Sequence, residues 1–71
     1  MKKGDTYIGE FKNGVLNGEG TVINKNDEKY IGMFKNGKKH GNGTLYNKNG
    51  EIIKSGIWEL NEFISEHKII I

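Results

Sequence analysis

The side chains able to do chemistry are few in this sequence. Its two histidines, His40 and His67, lie far apart, its serines are Ser55 and Ser65, and it has no cysteine. Nucleophilic catalysis needs an activated Ser, Cys or Thr within reach of a base that a third group orients. No such signature surrounds either serine. Glu66 beside His67 could mimic an orienter and its base, but neighbouring residues of a strand point to opposite faces. A metal site needs three or four convergent ligands, and two separated histidines with scattered carboxylates do not supply them. Gly18-x-Gly20 has the glycines of a phosphate cradle. It lacks the lysine and the following helix that make such a loop work. The expectation is therefore a non-enzymatic chain with no cofactor and no metal.

Bulk properties narrow the class further. A chain of 71 residues is a single domain, and one of this size buries only about 60% of its unfolded surface. Without cysteine there is no disulfide to staple it. No run of about 18 apolar residues occurs, and the charged start Met1-Lys2-Lys3-Gly4-Asp5 has no apolar core behind it, unlike a signal peptide. A soluble, cytoplasmic protein is expected. The net charge is +2, and every basic residue is lysine. Arginine supplies the planar fork that pairs with phosphate and guanine, so its absence argues against a nucleic-acid partner.

The elements that must position these side chains come from a repeat. Tyr7-Ile8-Gly9-Glu10-Phe11-Lys12-Asn13-Gly14 returns 23 residues later as Tyr30-Ile31-Gly32-Met33-Phe34-Lys35-Asn36-Gly37. Asn17-Gly18-Glu19-Gly20-Thr21-Val22 returns at the same offset as His40-Gly41-Asn42-Gly43-Thr44-Leu45. A decayed third unit follows at an offset of 24, with Gly56 and Trp58 in place of Gly32 and Phe34, Lys54 in place of Tyr30, and Asn61, Ser65 and His67 in place of glycines. A fixed period marks a repeat architecture, with an atypical last unit acting as a cap. The units run over about 5–27, 28–51 and 52–71.

Each unit reads as two short antiparallel strands. Asn13-Gly14 and Asn36-Gly37 lie between β-forming runs, the strongest short hairpin signal. A second set of turns, Asn24–Asp27 and Asn47–Gly50, separates the units. The strands are expected near Thr6–Lys12, Glu19–Ile23, Glu28–Lys35, Gly43–Tyr46, Ile52–Glu59 and Glu66–Ile71. Short connections make consecutive strands neighbours, so the fold class is all-β: a single-layer antiparallel meander of about six strands. For residues 60–71 a capping helix competes with a strand, because Leu60, Phe63, Ile64 and His67 have helical spacing.

Alternation sorts the side chains to faces. Tyr7, Gly9 and Phe11 share one face, as do Tyr30, Gly32 and Phe34, and then Gly56 and Trp58; Ile8, Glu10, Ile31, Met33 and Ile57 lie on the other. Tyr7, Phe11, Tyr30, Phe34 and Trp58 thus form an aromatic ladder that is both core and candidate partner site, since a one-layer sheet has nothing to cover all of it. At least one of Tyr7, Tyr30 and Trp58 is expected to stay exposed. Lys12, Lys35, Lys38 and Lys39 are candidate contacts to an anionic surface, His40 falling with the last two in a polar loop. Secure electrostatic attachment needs a dense cluster of about 4–8 cations, and acidic residues are interspersed here.

The period, the Tyr-x-Gly-x-aromatic run and the Gly-x-Gly pair make the chain resemble MORN repeats over most of residues 5–60. The signature positions are Tyr7, Gly9, Phe11, Gly14, Gly18 and Gly20, then Tyr30, Gly32, Phe34, Gly37, Gly41 and Gly43, with Gly56 and Trp58 in the third unit. The resemblance implies an elongated array of β-hairpins in contact with proteins or with membrane lipid. The expected function is a protein-interaction module, a small adaptor or inhibitor binding through its aromatic face or an edge strand. A peripheral module for anionic lipid is the alternative. A homodimer is also expected, because Ile69-Ile70-Ile71 would leave an apolar sheet edge facing water.

Overall fold

The computed structural model describes residues 4–66 of the chain. Its strands are β1 (Thr6–Lys12), β2 (Val15–Ile23), β3 (Lys29–Lys35), β4 (Lys38–Tyr46), β5 (Ile52–Glu59) and β6 (Glu62–Glu66). They form one antiparallel sheet in sequence order, measuring 40 × 27 × 16 Å. The described residues include no helix, as the meander expected from sequence requires.

Turn chemistry explains the connections. Asn13 and Gly14 have φ of 53° and 83°, and Asn36 and Gly37 have 53° and 82°. Paired positive φ matches the right-handed twist of the flanking strands, and Asn-Gly reaches it at low cost. The longer turns are pinned by asparagine. Asn24 Oδ1 accepts from the amides of Asn26 at 2.9 Å and Glu28 at 3.0 Å, and its Nδ2 donates to Glu28 Oε1 at 3.0 Å. Asn47 repeats the arrangement with Asn49 and Glu51.

Three expectations need correction. β2 and β4 begin directly after their turns, at Val15 and Lys38, so Lys38, Lys39 and His40 lie in a strand and not in a loop. The end of the described chain is strand and not helix, but β6 starts at Glu62 rather than Glu66. Its turn is Leu60–Asn61, at φ 50° and 71°, which carries no glycine and so gave no hairpin signal. His67 and the expected apolar ending Ile69-Ile70-Ile71 lie outside the described residues.

The hairpins are stitched to one another beyond the strand ladder. The Gly37 amide donates to Leu16 O at 2.8 Å, and one unit later the Asn61 amide donates to Lys39 O at 3.1 Å. Asn61 Oδ1 accepts in return from the Lys39 amide at 2.8 Å. Opposite Gly9–Phe11 and Gly32–Phe34 the partner strands are longer: Gly9 pairs with Gly20 but Phe11 with Leu16, and Gly32 with Gly43 but Phe34 with Lys39. The extra residues form bulges. In the first, the Glu10 carboxylate accepts from the Glu19 amide at 2.6 Å.

Candidate functional site

Register builds the aromatic face. Gly9, Gly20, Gly32, Gly43 and Gly56 stand opposite one another in successive pairs and cross β1 to β5 as one row. Rings lie on this row because no Cβ holds them off. Tyr30 sits against Gly43, and Phe34 against Gly20. The rings then pack edge to face: Tyr30 with Phe34 at 5.1 Å, Tyr30 with Trp58 at 5.2 Å, and Trp58 with Phe63 at 5.2 Å between centroids. Such pairs add about 0.5–1.5 kcal/mol beyond the area they bury. The polar tips are satisfied too, with Tyr30 Oη donating to Met33 O at 3.1 Å and Trp58 Nε1 to Gly43 O at 3.0 Å.

The structure thus divides the five ladder residues. Tyr30, Phe34 and Trp58 are 1%, 6% and 5% exposed and form the core with Leu16. Tyr7 is half-buried against them, and Phe11 is 49% exposed. Leu16 and Phe63 belong to the same face, beyond the five aromatics that strand alternation places there. Phe63 shares its repeat position with Lys39 and Leu16, at offsets of 24 and 23, and that equivalence is the signal that could have placed it.

An open groove of about 670 Å³ runs over this face. Its floor includes Tyr7, Val22, Tyr30, Phe34 and Leu45, and its walls include Asp5, Asn24, Lys25, Glu28, Lys39 and Asn61. The walls carry both signs of charge and several amide groups over an apolar floor. Tyr7 is its accessible aromatic, its hydroxyl donating to the Asp5 carboxylate at 3.4 Å. The opposite face holds Ile8, Ile31, Met33 and Ile57, all exposed, the first three of them lining a second depression of about 610 Å³.

The four candidate lysines do not act as a group. Lys12, Lys35 and Lys38 are exposed around the hairpin tips, Lys35 and Lys38 being cross-strand partners. Lys39 is half-buried, its ammonium 5.4 Å from the Tyr30 ring and 5.7 Å from that of Trp58. It is a wall of the aromatic groove. Glu59 and Glu62 flank the third tip, so that rim is mixed in sign.

Among the described residues no group of three His, Cys, Asp or Glu could hold a metal ion, and His40 stands half-buried in β4. One group has a displaced titration. Burial pushes the Tyr30 hydroxyl up from 10.0 to about 12. Above pH 10.0 the unfolded chain releases this proton while the folded chain keeps it, so stability falls as pH rises from 10.0 towards 12. Denaturant titrations across that window should show a loss that Tyr30→Phe lacks. An identical pH dependence in wild type and Tyr30→Phe would refute the assignment.

Comparison with known proteins places the sequence that builds this face in a repeat family. The family model described as MORN repeat matches residues 7–26 and 30–52, which together make up more than half of the chain. The search of curated proteins returns no match.

Proposed function

The chain belongs to the MORN-repeat family, whose repeats are generally protein- or membrane-interaction modules, and from that premise we propose that it is a non-enzymatic adaptor or inhibitor that holds an extended segment of a partner protein on its aromatic face. The observation that carries this reading is the groove of about 670 Å³. Its floor is rigid, because Tyr30 and Phe34 are locked by ring packing and by the glycine row. A preformed floor spares the ordering cost that binding otherwise incurs. Walls with Lys25 and Lys39, Asp5 and Glu28, and the amides of Asn24 and Asn61 suit a polypeptide, which offers backbone donors and acceptors together with mixed side chains. They suit a single anionic head group less well. Lys12, Lys35 and Lys38, the cations a membrane would meet, fall short of the roughly 4–8 that hold a protein to an anionic surface.

Selection from a display library of extended peptides should yield binders that Tyr7→Ala weakens about tenfold, the loss of one partly buried aromatic anchor. Lys25→Glu should shift the selected charge pattern, while Lys35→Glu and Lys38→Glu should leave peptide binding unchanged. Vesicles rich in anionic lipid should not sediment the chain at either low or moderate salt. If they do, and the Lys35 and Lys38 reversals abolish it while no peptide binds, the membrane reading replaces this one.

A further inference from the structure

The three units place an aromatic at one position, and one of the three is treated differently. Phe34 and Trp58 are 6% and 5% exposed, whereas Phe11 is 49% exposed. The difference lies in what precedes each strand. Phe34 rests on Gly20 of the hairpin before it; a Cβ at Gly20 would come within 3.0 Å of Phe34 Cδ1. Trp58 likewise bonds to Gly43 O of the hairpin before it. Phe11 lies on β1, the edge of the sheet, and has no such strand beneath it. A strand that completes its seat must pair with β1 and bring a glycine opposite Gly9.

The two open edges differ in whether they supply that strand. On β6 the glycine row ends at Glu66, which pairs with Gly56. A charged residue on the edge strand of the described sheet is a recognised guard against pairing, and Glu66 is exposed there. β1 carries Tyr7, Gly9 and Phe11 on its aromatic face, with no charge among them and no proline. Its carboxylate, Glu10, is drawn back into the bulge of β2. The glycine-bearing strand available to β1 is therefore β1 of another copy.

We infer that two copies of this chain associate through β1 about a two-fold axis, with Gly9 opposite Gly9, joining their sheets into one. Antiparallel pairing about that centre puts Phe11 opposite Tyr7 of the second copy, twice, and extends the glycine row across the junction. Glu10 then faces Ile8, and Lys12 faces Thr6, so no like charges oppose one another. Contact through a seven-residue strand is smaller than a standard interface of about 1,600 Å², so the dimer is concentration-dependent and not obligate. It does not rest on the function proposed above, because it is argued from the glycine row and the free edge of β1 and needs no partner peptide in the groove, although the two share Tyr7 at the groove's end.

Sedimentation velocity of the whole chain over a hundredfold range of concentration, reaching millimolar, should show the mass rising from 8.0 kDa towards twice that value. Phe11→Lys, an inward charge at the edge, should weaken the association at least tenfold. Glu66→Gln on the other edge and Ile31→Lys on the opposite face should leave it unchanged. An isotope-filtered spectrum of mixed labelled and unlabelled wild type should give contacts between the Phe11 and Tyr7 rings across copies, which does not depend on any variant folding. A monomer throughout the range overturns the inference. So does a dimer lost in the Glu66 or Ile31 variant but kept in Phe11→Lys, which would mean pairing at β6 or face-to-face stacking instead.

Discussion

Gly43→Ala should remove a large share of the chain's stability. A Cβ at this position would run into the Oη, Cζ and Cε2 atoms of Tyr30. Tyr30 cannot yield easily, because its hydroxyl is bonded to Met33 O and its ring is wedged between Phe34 and Trp58. The backbone cannot yield either, since the facing glycine of β3, Gly32, is in close contact with Gly43 itself. Overpacking a tight core costs about 1–3 kcal/mol and sometimes more, and this site should lie at the upper end or beyond. A domain of 71 residues has only about 4–10 kcal/mol of stability in all. A loss of about 3 kcal/mol corresponds to more than about 12 °C in Tm for a chain of this size. Gly14→Ala is the control. Its Cβ would meet nothing within 4 Å, so only its φ of 83° opposes the change, at about 1–2 kcal/mol. Thermal melts followed by circular dichroism give the answer, and a Gly43→Ala melt within a few degrees of wild type would show that rings do not rest on the glycine row.

Trp58→Ala should be nearly as damaging, for a different reason. Trp58 is the junction of the ladder, touching Tyr30 on one side and Phe63 on the other, and its Nε1 donates to Gly43 O. It is one of only four buried hydrophobic residues among those described, so its loss opens a quarter of the core. Truncating a buried tryptophan costs about 3–5 kcal/mol, before the carbonyl left without its donor is counted. Because β6 meets the described sheet through β5, the third hairpin should loosen first. Hydrogen exchange should therefore accelerate in β5 and β6 before β1 and β2. Trp58→Phe, which keeps a ring but not the donor, should cost only about 0.5–1.5 kcal/mol for the hydrogen bond together with the lost contact area. Uniform acceleration across all strands in Trp58→Ala would mean that the array unfolds as one unit and that the ladder does not end in a separable cap.

Strand order, turn positions and the division of faces could be read from the residues because each rests on local physics. Asn-Gly requires positive φ wherever it stands, as at Asn13 and Asn36, and alternation places Tyr7, Tyr30 and Trp58 on one side whatever the neighbouring strands are. The Leu60–Asn61 turn was missed for the same local reason. It adopts positive φ without glycine, held by the bonds of Asn61 to Lys39, 22 residues earlier in the chain. Lys39 looks like a tip cation in the sequence because its immediate neighbours do not show that it would lie across two rings.

The sequence alone determined the repeat, the all-β class and the identity of the aromatic face, since period and turn chemistry are written in residues close along the chain. Only the tertiary structure decided which aromatics are core and which can be reached. The three ladder aromatics that β-strand alternation treats alike, Phe11, Phe34 and Trp58, differ because two of them have a preceding glycine strand beneath them and the first does not. Burial is a property of a side chain's neighbours in space, and at Phe11 the position of that neighbour is the edge of the sheet.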